Sequence, residues 1–303
     1  MKKLQCEFLD ALDDLLASGT ALLSPEFRTQ HADFIKNQQA ENGGFRGRSG
    51  SPDLYYAEFA VRSLIMLDDP CDLQPVADYL CGVQYWPAGI AHSFSLLNIL
   101  RMLRKRGVDL GRGVTSRLVS VADGMWERDA SITNRFLTTL CVELEGTGQV
   151  YDPIAMHFIP QMQRRDGGFS EVRGKRLGQM KATASAIAFL TMARKLTTID
   201  CDAAVAFLQS MQTRTGGLKA HKNAVEADLL STFTGLITLS ALGSLGRMDL
   251  AAVARFTRDL ASPGGGFRGW PSDTGCDVEF TYYGVATAAL LRLHASTRAE
   301  ENA

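Results

Sequence analysis

Several large classes of protein are excluded by what this chain lacks. It has no excess of basic charge: Lys+Arg total 32 against 33 Asp+Glu in 303 residues, a formal net charge of −1, so no global field is present to hold nucleic acid. It has no apolar run of membrane-spanning length. The longest weakly polar stretch, residues 182–193, is too short for a bilayer and contains Thr and Ser. The Met-Lys-Lys start is followed by Glu7 and Asp10 rather than an apolar core, so no signal peptide is expected. The six cysteines (Cys6, Cys71, Cys81, Cys141, Cys201 and Cys276) form no C-x-x-C pair. Scattered thiols in a chain with ample core predict a reduced, cytoplasmic protein. The five histidines contain no i,i+4 pair and read as structural or surface groups. No strand-like alternation of useful length appears. At 46% hydrophobic and 21% charged, the composition is that of a soluble globular chain.

An internal repeat is present. Gly43-Gly44-Phe45-Arg46 returns as Gly265-Gly266-Phe267-Arg268, with Gly167-Gly168-Phe169 and Gly216-Gly217-Leu218 between them. The last three sites are spaced by 49 residues (168, 217, 266), and the 124-residue gap after Gly44 has room for two degenerate units, one at residues 84–90 and one around 126–129. Each unit has a short amphipathic helix ending in Gln (Gln39, Gln84, Gln163, Gln212), a Gly-rich loop, and a second helix apolar on nearly every side. These second helices are predicted at 54–67, 94–103, 136–144, 182–193, 229–242 and 278–293. A helix apolar all round must be buried all round, so two concentric helix layers satisfy both patterns. The fold class predicted is all-α, about six helical hairpins. Residues 1–30 read as an extra amphipathic helix (Leu4, Phe8, Leu12, Leu15, Leu16) and loop, 31–294 as the repeat domain, and 295–303 as a frayed tail.

The Gln-x-x-x-Gly-Gly-Phe pattern, followed by a spacer, an Asp and an apolar helix, resembles the prenyltransferase/squalene-cyclase repeat. It is similar in particular to protein prenyltransferase β subunits at residues 43–56 and 265–284. The resemblance covers about residues 31–294. It implies an α/α toroid around a central apolar cavity, an isoprenoid diphosphate as substrate, and a helical partner subunit. The family's zinc site uses Asp-x-Cys at one inner-helix start and His at the next. Here those positions read Asp228-Leu229-Leu230 and Phe280, so two of three protein ligands are replaced by groups that cannot bind zinc. The positions the family uses for diphosphate fall on Gln179, Lys222, Val225 and Ser231. No resident cofactor is therefore expected, and Mg²⁺ accompanying a diphosphate stays open. The acid motif of the cyclase branch has no counterpart, since Asp13-Asp14 lies in the N-terminal helix and Asp68-Asp69 in a linker.

Candidate site residues carry two readings each. Asp53, Asp228 and Asp277 recur at inner-helix starts, where an Asp either caps free amides or, facing an apolar cavity, acts as a general acid with a raised pKa. Asp277 is the chosen acid, because Cys276, Glu279 and Tyr282 lie beside it, with Asp228 and Tyr282 as further catalytic candidates. Metal ligation by Cys276, Asp277, Asp228 and His221 is a separate alternative. Arg173, Lys175 and Arg176 in the fourth loop, with Arg46, Lys222 and Arg268 in equivalent loops, read either as a solvated face or as a diphosphate clamp on one rim. Tyr55, Tyr56, Phe280 and Tyr283 at inner-helix starts read as core, or as the lining of a cavity suited to an isoprenoid or a carbocation. Three functions follow: a zinc-independent prenyl-chemistry enzyme performing transfer or cyclisation, a non-catalytic binder of an isoprenoid or lipidated peptide, or a scaffold for a helical partner.

Overall fold

The computed structural model describes residues 4–83, 89–110, 131–146 and 153–301. The degenerate units read at 84–90 and around 126–129 fall mainly outside them. After α1 (Glu7–Thr20), outer and inner helices alternate: α2 (Pro25–Lys36) then inner α3 (Leu54–Met66), and α4 (Gln74–Gly82) then inner α5 (Ile90–Lys105). Inner α6 (Ile132–Glu145), outer α7 (Pro153–Phe158) and inner α8 (Met180–Met192) follow. The last four are outer α9 (Cys201–Ser210), inner α10 (Leu229–Ala241), outer α11 (Leu250–Leu260) and inner α12 (Val278–Glu301). Each inner helix packs on the next, α3 on α5, then α6, α8, α10 and α12, and α12 packs back on α3, so the ring closes.

Two boundaries differ from the sequence expectation. Ser24 caps and Pro25 opens α2, the usual signature of a helix start, so the first outer helix begins inside the segment read as a loop. At the other end, α12 continues to Glu301 through the segment read as a tail.

The repeat has a mechanical cause. The first glycine of each pair sits at positive φ (85° at Gly43, 89° at Gly167, 102° at Gly216, 90° at Gly265). A Cβ there would lie 1.9–2.5 Å from a backbone carbonyl oxygen of the following outer helix: that of Pro75, Ala203, Ala252 and Gln30 respectively. The second glycine lies under an aromatic ring of that same helix: Tyr79, Phe207, Phe256 and Phe34. Only glycine permits both the conformation and the approach. The recurrent Gln fastens the loop. Gln39, Gln163 and Gln212 donate to the carbonyls of Gly43, Gly167 and Gly216 at 3.0–3.1 Å. Gln163 and Gln212 also pair with both backbone groups of Asp200 and Asp249, the caps of the next outer helices.

In the sixth unit Ala261 occupies the Gln position, pairing with Phe267 as Gln39 pairs with Phe45. There the link comes from the other side of the seam. Gln30 of α2 donates to the carbonyls of Ser262 (3.2 Å) and Pro263 (2.8 Å). His31 Nδ1 accepts the Gly266 amide at 3.0 Å while its ring stacks on Phe267 at 4.7 Å.

The N-terminal helix α1 crosses the end of the ring opposite these loops. Near its start the Cys6 thiol donates to Glu143 of α6, and Phe8 meets Phe136 edge-on at 5.8 Å. Near its end Thr20 donates to the Met66 carbonyl of α3, and Gly19 lies against Ala289 of α12. Between these ends, Arg101 of α5 projects a fully buried side chain that donates to Asp10, Asp13 and Asn98. Asn98 donates in turn to the buried Glu58 of α3. Arg62 lies 3.6 Å from Glu58 and 3.7 Å from Asp13. This buried charge network fixes α1 to α3 and α5.

Two predictions follow from these contacts. Replacing Arg101 by Met removes a donor from two half-buried carboxylates and from the buried Asn98, and should cost about 3 kcal/mol in urea denaturation, with partial recovery when Asp10→Asn and Asp13→Asn are added. His31 is 1% exposed and burial lowers its pKa from 6.5 to about 4. The unfolded chain takes up this proton near pH 6.5 and the folded protein only near pH 4. Stability is therefore full above that window and falls across it on acidification, by at most about 3 kcal/mol. Denaturation curves from pH 7 to 4 should show this slope reduced in His31→Gln; an equal slope in both proteins refutes the assignment.

Candidate functional site

The Gly-rich loops gather at the end of the ring where the inner helices begin. Asp53 caps α3 by accepting the Tyr56 amide at 2.9 Å. Asp228 caps α10, taking the Ser231 amide at 2.7 Å and the Ser231 hydroxyl at 2.9 Å. Burial pushes the Asp228 carboxyl up, against the pull of those Ser231 bonds. Gln179, the equivalent residue of the fourth unit, makes no side-chain cap. Its side-chain oxygen instead accepts the Glu171 amide at 3.3 Å.

Asp277 also accepts a cap bond, from the Phe280 amide at 2.9 Å, and its other oxygen accepts Arg48 Nε at 2.8 Å. The two Nη groups of Arg48 grip both oxygens of Asp273 at 2.6 Å. The guanidinium lies between the rings of Trp270 (5.9 Å) and Phe280 (5.8 Å). Arg48 comes from the first loop and its partners from the sixth, so this cluster spans the ring seam at the rim. Burial raises the Asp277 carboxyl, against the Phe280 amide and Arg48. At Asp273 burial pulls the same way, but Arg48 and the amides of Gly269 and Gly275 outweigh it and hold that carboxyl below its usual range.

Behind this pair, aromatic side chains converge from three inner helices. Tyr55 and Phe59 of α3 meet at 5.0 Å, and Phe59 touches Tyr282 (5.5 Å) and Tyr283 (5.4 Å) of α12. Phe233 of α10 touches the same two tyrosines at 5.7 and 5.8 Å. Phe280 joins Tyr283 to Trp270, and Tyr56 packs edge-on to Tyr55. Glu279 stands beside these rings and accepts the Tyr55 hydroxyl at 2.8 Å, and the buried Glu58 acts on Tyr55, Tyr282 and Tyr283 from the side of α3. Burial raises its pKa, Tyr55 lowers it, and Asp277 raises it further. Tyr282, read in the sequence beside Asp277, lies five residues on and so about 140° round the helix. Its ring is 1% exposed beneath Arg62 at 5.1 Å.

The rim cations divide. Arg268 is spent on the carbonyls of Asp259, Pro271 and Asp273. Arg173 lies over Phe158 at 5.4 Å. Arg46, Lys175, Arg176 and Lys222 are exposed. The pairing of Arg48 was not read from the sequence; Asp273, four residues before Asp277, was the available signal.

The zinc of thiol prenyl transfer has no fitting donor set at its expected positions. Asp228 has both oxygens engaged by Ser231, Leu230 stands where a thiolate is needed, and Phe280 packs against Trp270. Among the described residues no three His, Cys, Asp or Glu side chains are placed to share a metal ion, so Cys276, Asp277, Asp228 and His221 do not assemble the alternative site.

A closed ring of inner helices, with outer helices behind it and Gly-Gly loops gathered on one rim, defines an α/α toroid. The chain belongs to the prenyltransferase α/α-toroid domain family, whose model matches residues 8–228 and 220–302. No curated protein matches the sequence. Among solved structures, Candida albicans protein geranylgeranyltransferase-I complexed with GGPP is 16% identical, covering 94% of this chain and 86% of its own, with a TM-score of 0.48. A glycosidase point variant is 12% identical over 91% of this chain and 98% of its own, with a TM-score of 0.60. The wild-type glycosidase gives 14%, the same coverage and 0.52. At such identities the likeness is one of fold. Among the described residues no helix is long and apolar enough to cross a membrane.

The rim cluster makes a prediction of its own. Arg48→Met removes three charge-assisted bonds and leaves two carboxylates side by side. The loss should be about 2 kcal/mol at pH 7, held to that by the guanidinium's partial exposure. Asp273 contributes stability above its unfolded pKa that is lost as pH falls through its lower folded value, so the gap between wild type and variant should close on acidification. A gap that persists unchanged at pH 3 refutes the ion-pair account.

Proposed function

We propose that the protein is a zinc-independent enzyme of prenyl chemistry, acting on an isoprenoid diphosphate in the reducing cytoplasm. The observation that carries the reading is the cluster of Tyr55, Phe59, Phe233, Tyr282 and Tyr283, with the half-buried Glu279 accepting the Tyr55 hydroxyl at its edge. In this proposal the isoprenoid chain lies against the aromatic rings, where burial supplies affinity. The diphosphate lies at the rim, held by Lys222, Lys175, Arg176 and Arg46, and Mg²⁺ enters with the substrate. The C–O bond breaks with its electron pair leaving on the diphosphate. The allylic cation left behind is stabilised by the faces of the rings. Attack by an acceptor nucleophile, or by the chain's own double bond, consumes the cation, and a proton is lost to the Glu279 carboxylate.

Glu279 takes the proton-handling role in preference to Asp277. Asp277 has one oxygen on the α12 cap and the other on Arg48, which suits it to positioning the rim. Glu279 has burial, a raised pKa and an aromatic environment, the conditions under which a carboxyl serves as a base near neutrality.

The test is calorimetric titration with farnesyl and geranylgeranyl diphosphate, followed by product analysis. Glu279→Gln should retain diphosphate affinity within about threefold while lowering turnover by about 10²-fold or more. Because the base must be ionised, wild-type activity should fall as pH drops through a pKa above the ordinary glutamate value of 4.5. Tight binding without turnover in the wild type would assign a binder instead. A co-purifying helical chain with no affinity for either diphosphate would assign a scaffold.

A further inference from the structure

A cavity of about 420 Å³ opens at the end of the toroid opposite the loops, between α1, α2 and the last turns of α3 and α5. Its volume lies in the range of small-molecule sites. Leu16, Ile65, Met66 and Met102 supply apolar wall, and Arg28 and Arg62 supply guanidinium groups. Most of its residues lie in α1 or near the ends of α3 and α5, away from the loop rim, and Tyr282 of α12 separates it from the aromatic wall.

The polar groups here are unequally matched. Donors lack acceptors: Arg28 Nε and the Tyr282 hydroxyl are buried without a hydrogen-bond partner, Arg62 Nε has no hydrogen bond and only Asp13 at 3.7 Å, and the Tyr282 hydroxyl lies in the field of Arg62, Asp13 and Glu58. Arg28 makes no ion pair with any described residue. The carboxylates, by contrast, are mostly committed. Asp13 is held by Arg101 and faces Arg62, and Asp68 is 3.9 Å from Arg106. Asp14 is exposed at the mouth. A buried donor without an acceptor carries a desolvation cost, and guanidinium groups match the paired oxygens of carboxylates and phosphates.

We infer that this distal cavity is a binding site for a small oxyanion on an apolar body, a carboxylate or phosphate ester whose head meets Arg28 and Arg62 and whose body lies on Leu16, Ile65, Met66 and Met102. The inference does not rest on the reading of the rim; it shares Tyr282 with the aromatic wall, but the head and body contacts it assigns are with other residues. Nothing in the cavity's chemistry calls for a metal or for a reaction; the site binds.

Calorimetric titration with hexanoate, hexyl phosphate and, as the uncharged control, hexanol tests it. At least one anion should bind about tenfold more tightly than hexanol, equivalent to about 1.4 kcal/mol, and the better of the two identifies the headgroup. Arg28→Gln should weaken that anion about fivefold or more and leave hexanol unchanged, while Arg28→Lys should keep part of the affinity. Ala21 is exposed and lines the cavity, so Ala21→Trp should fill it from the mouth and abolish binding without touching the buried network. Circular dichroism of each variant confirms folding. Equal affinity for all three probes, wild-type affinity in Arg28→Gln, or binding that survives Ala21→Trp would each overturn the assignment, the last because the ligand would then be elsewhere.

Discussion

The structure depends on one close approach, that of a glycine pair to the backbone of the neighbouring outer helix. At Gly43, Gly167, Gly216 and Gly265 the separation is so small that a single added carbon would meet a carbonyl oxygen. That contact sets the distance between successive hairpins and so the curvature of the ring. The Gln bonds, the ring of Tyr79, Phe207, Phe256 or Phe34 over the second glycine, and the capping Asp of the next helix all follow from holding the loop there. The seam between the sixth and first units uses the same geometry with a different donor, Gln30, because Ala261 offers none.

Charge is distributed between two ends with different roles. At the rim, Arg48 is shared by Asp273 and Asp277, half in water, where it orders loops that are 225 and 229 residues apart in sequence. At the other end, Arg101 is wholly enclosed and holds α1 in place. The first pair is adjustable by pH and salt; the second is a fixed structural element whose loss leaves uncompensated charge in the interior. Between them, burial within the aromatic wall is why the carboxyl of Glu279 and the hydroxyls of Tyr55 and Tyr283 hold their protons more tightly than in water.

The layers were legible because helix periodicity and the Gly-Gly spacing are local signals. All but the last of the inner helices fall within a few residues of their expected spans, and the capping role of Asp53, Asp228 and Asp277 is observed in the hydrogen bonds. What could not be read was which groups meet across the ring. His31 reaches Gly266 from 235 residues away, and nothing in its neighbours signals a closure contact. The amphipathicity of α1 indicated that one face is buried, without saying that the burial is across the end of a barrel. The rim cations were visible as a class, but only the fold separates Arg268, consumed by three carbonyls, from Lys222, which is exposed. Glu279 stood beside Asp277 in the sequence, and choosing between them needed the partner of each.

The crossing helix has a consequence for how many units such a ring can hold. Fourteen residues of α1 measure about 21 Å, and they run from α6 to α12, members of the ring that stand three steps apart in either direction. A ring of seven has no such opposite pair, and its wider mouth would leave one end of α1 without a wall. The N-terminal helix therefore acts as a gauge: its length matches the diagonal of a hexagon, so the size of the ring is braced by a segment that is not itself a repeat.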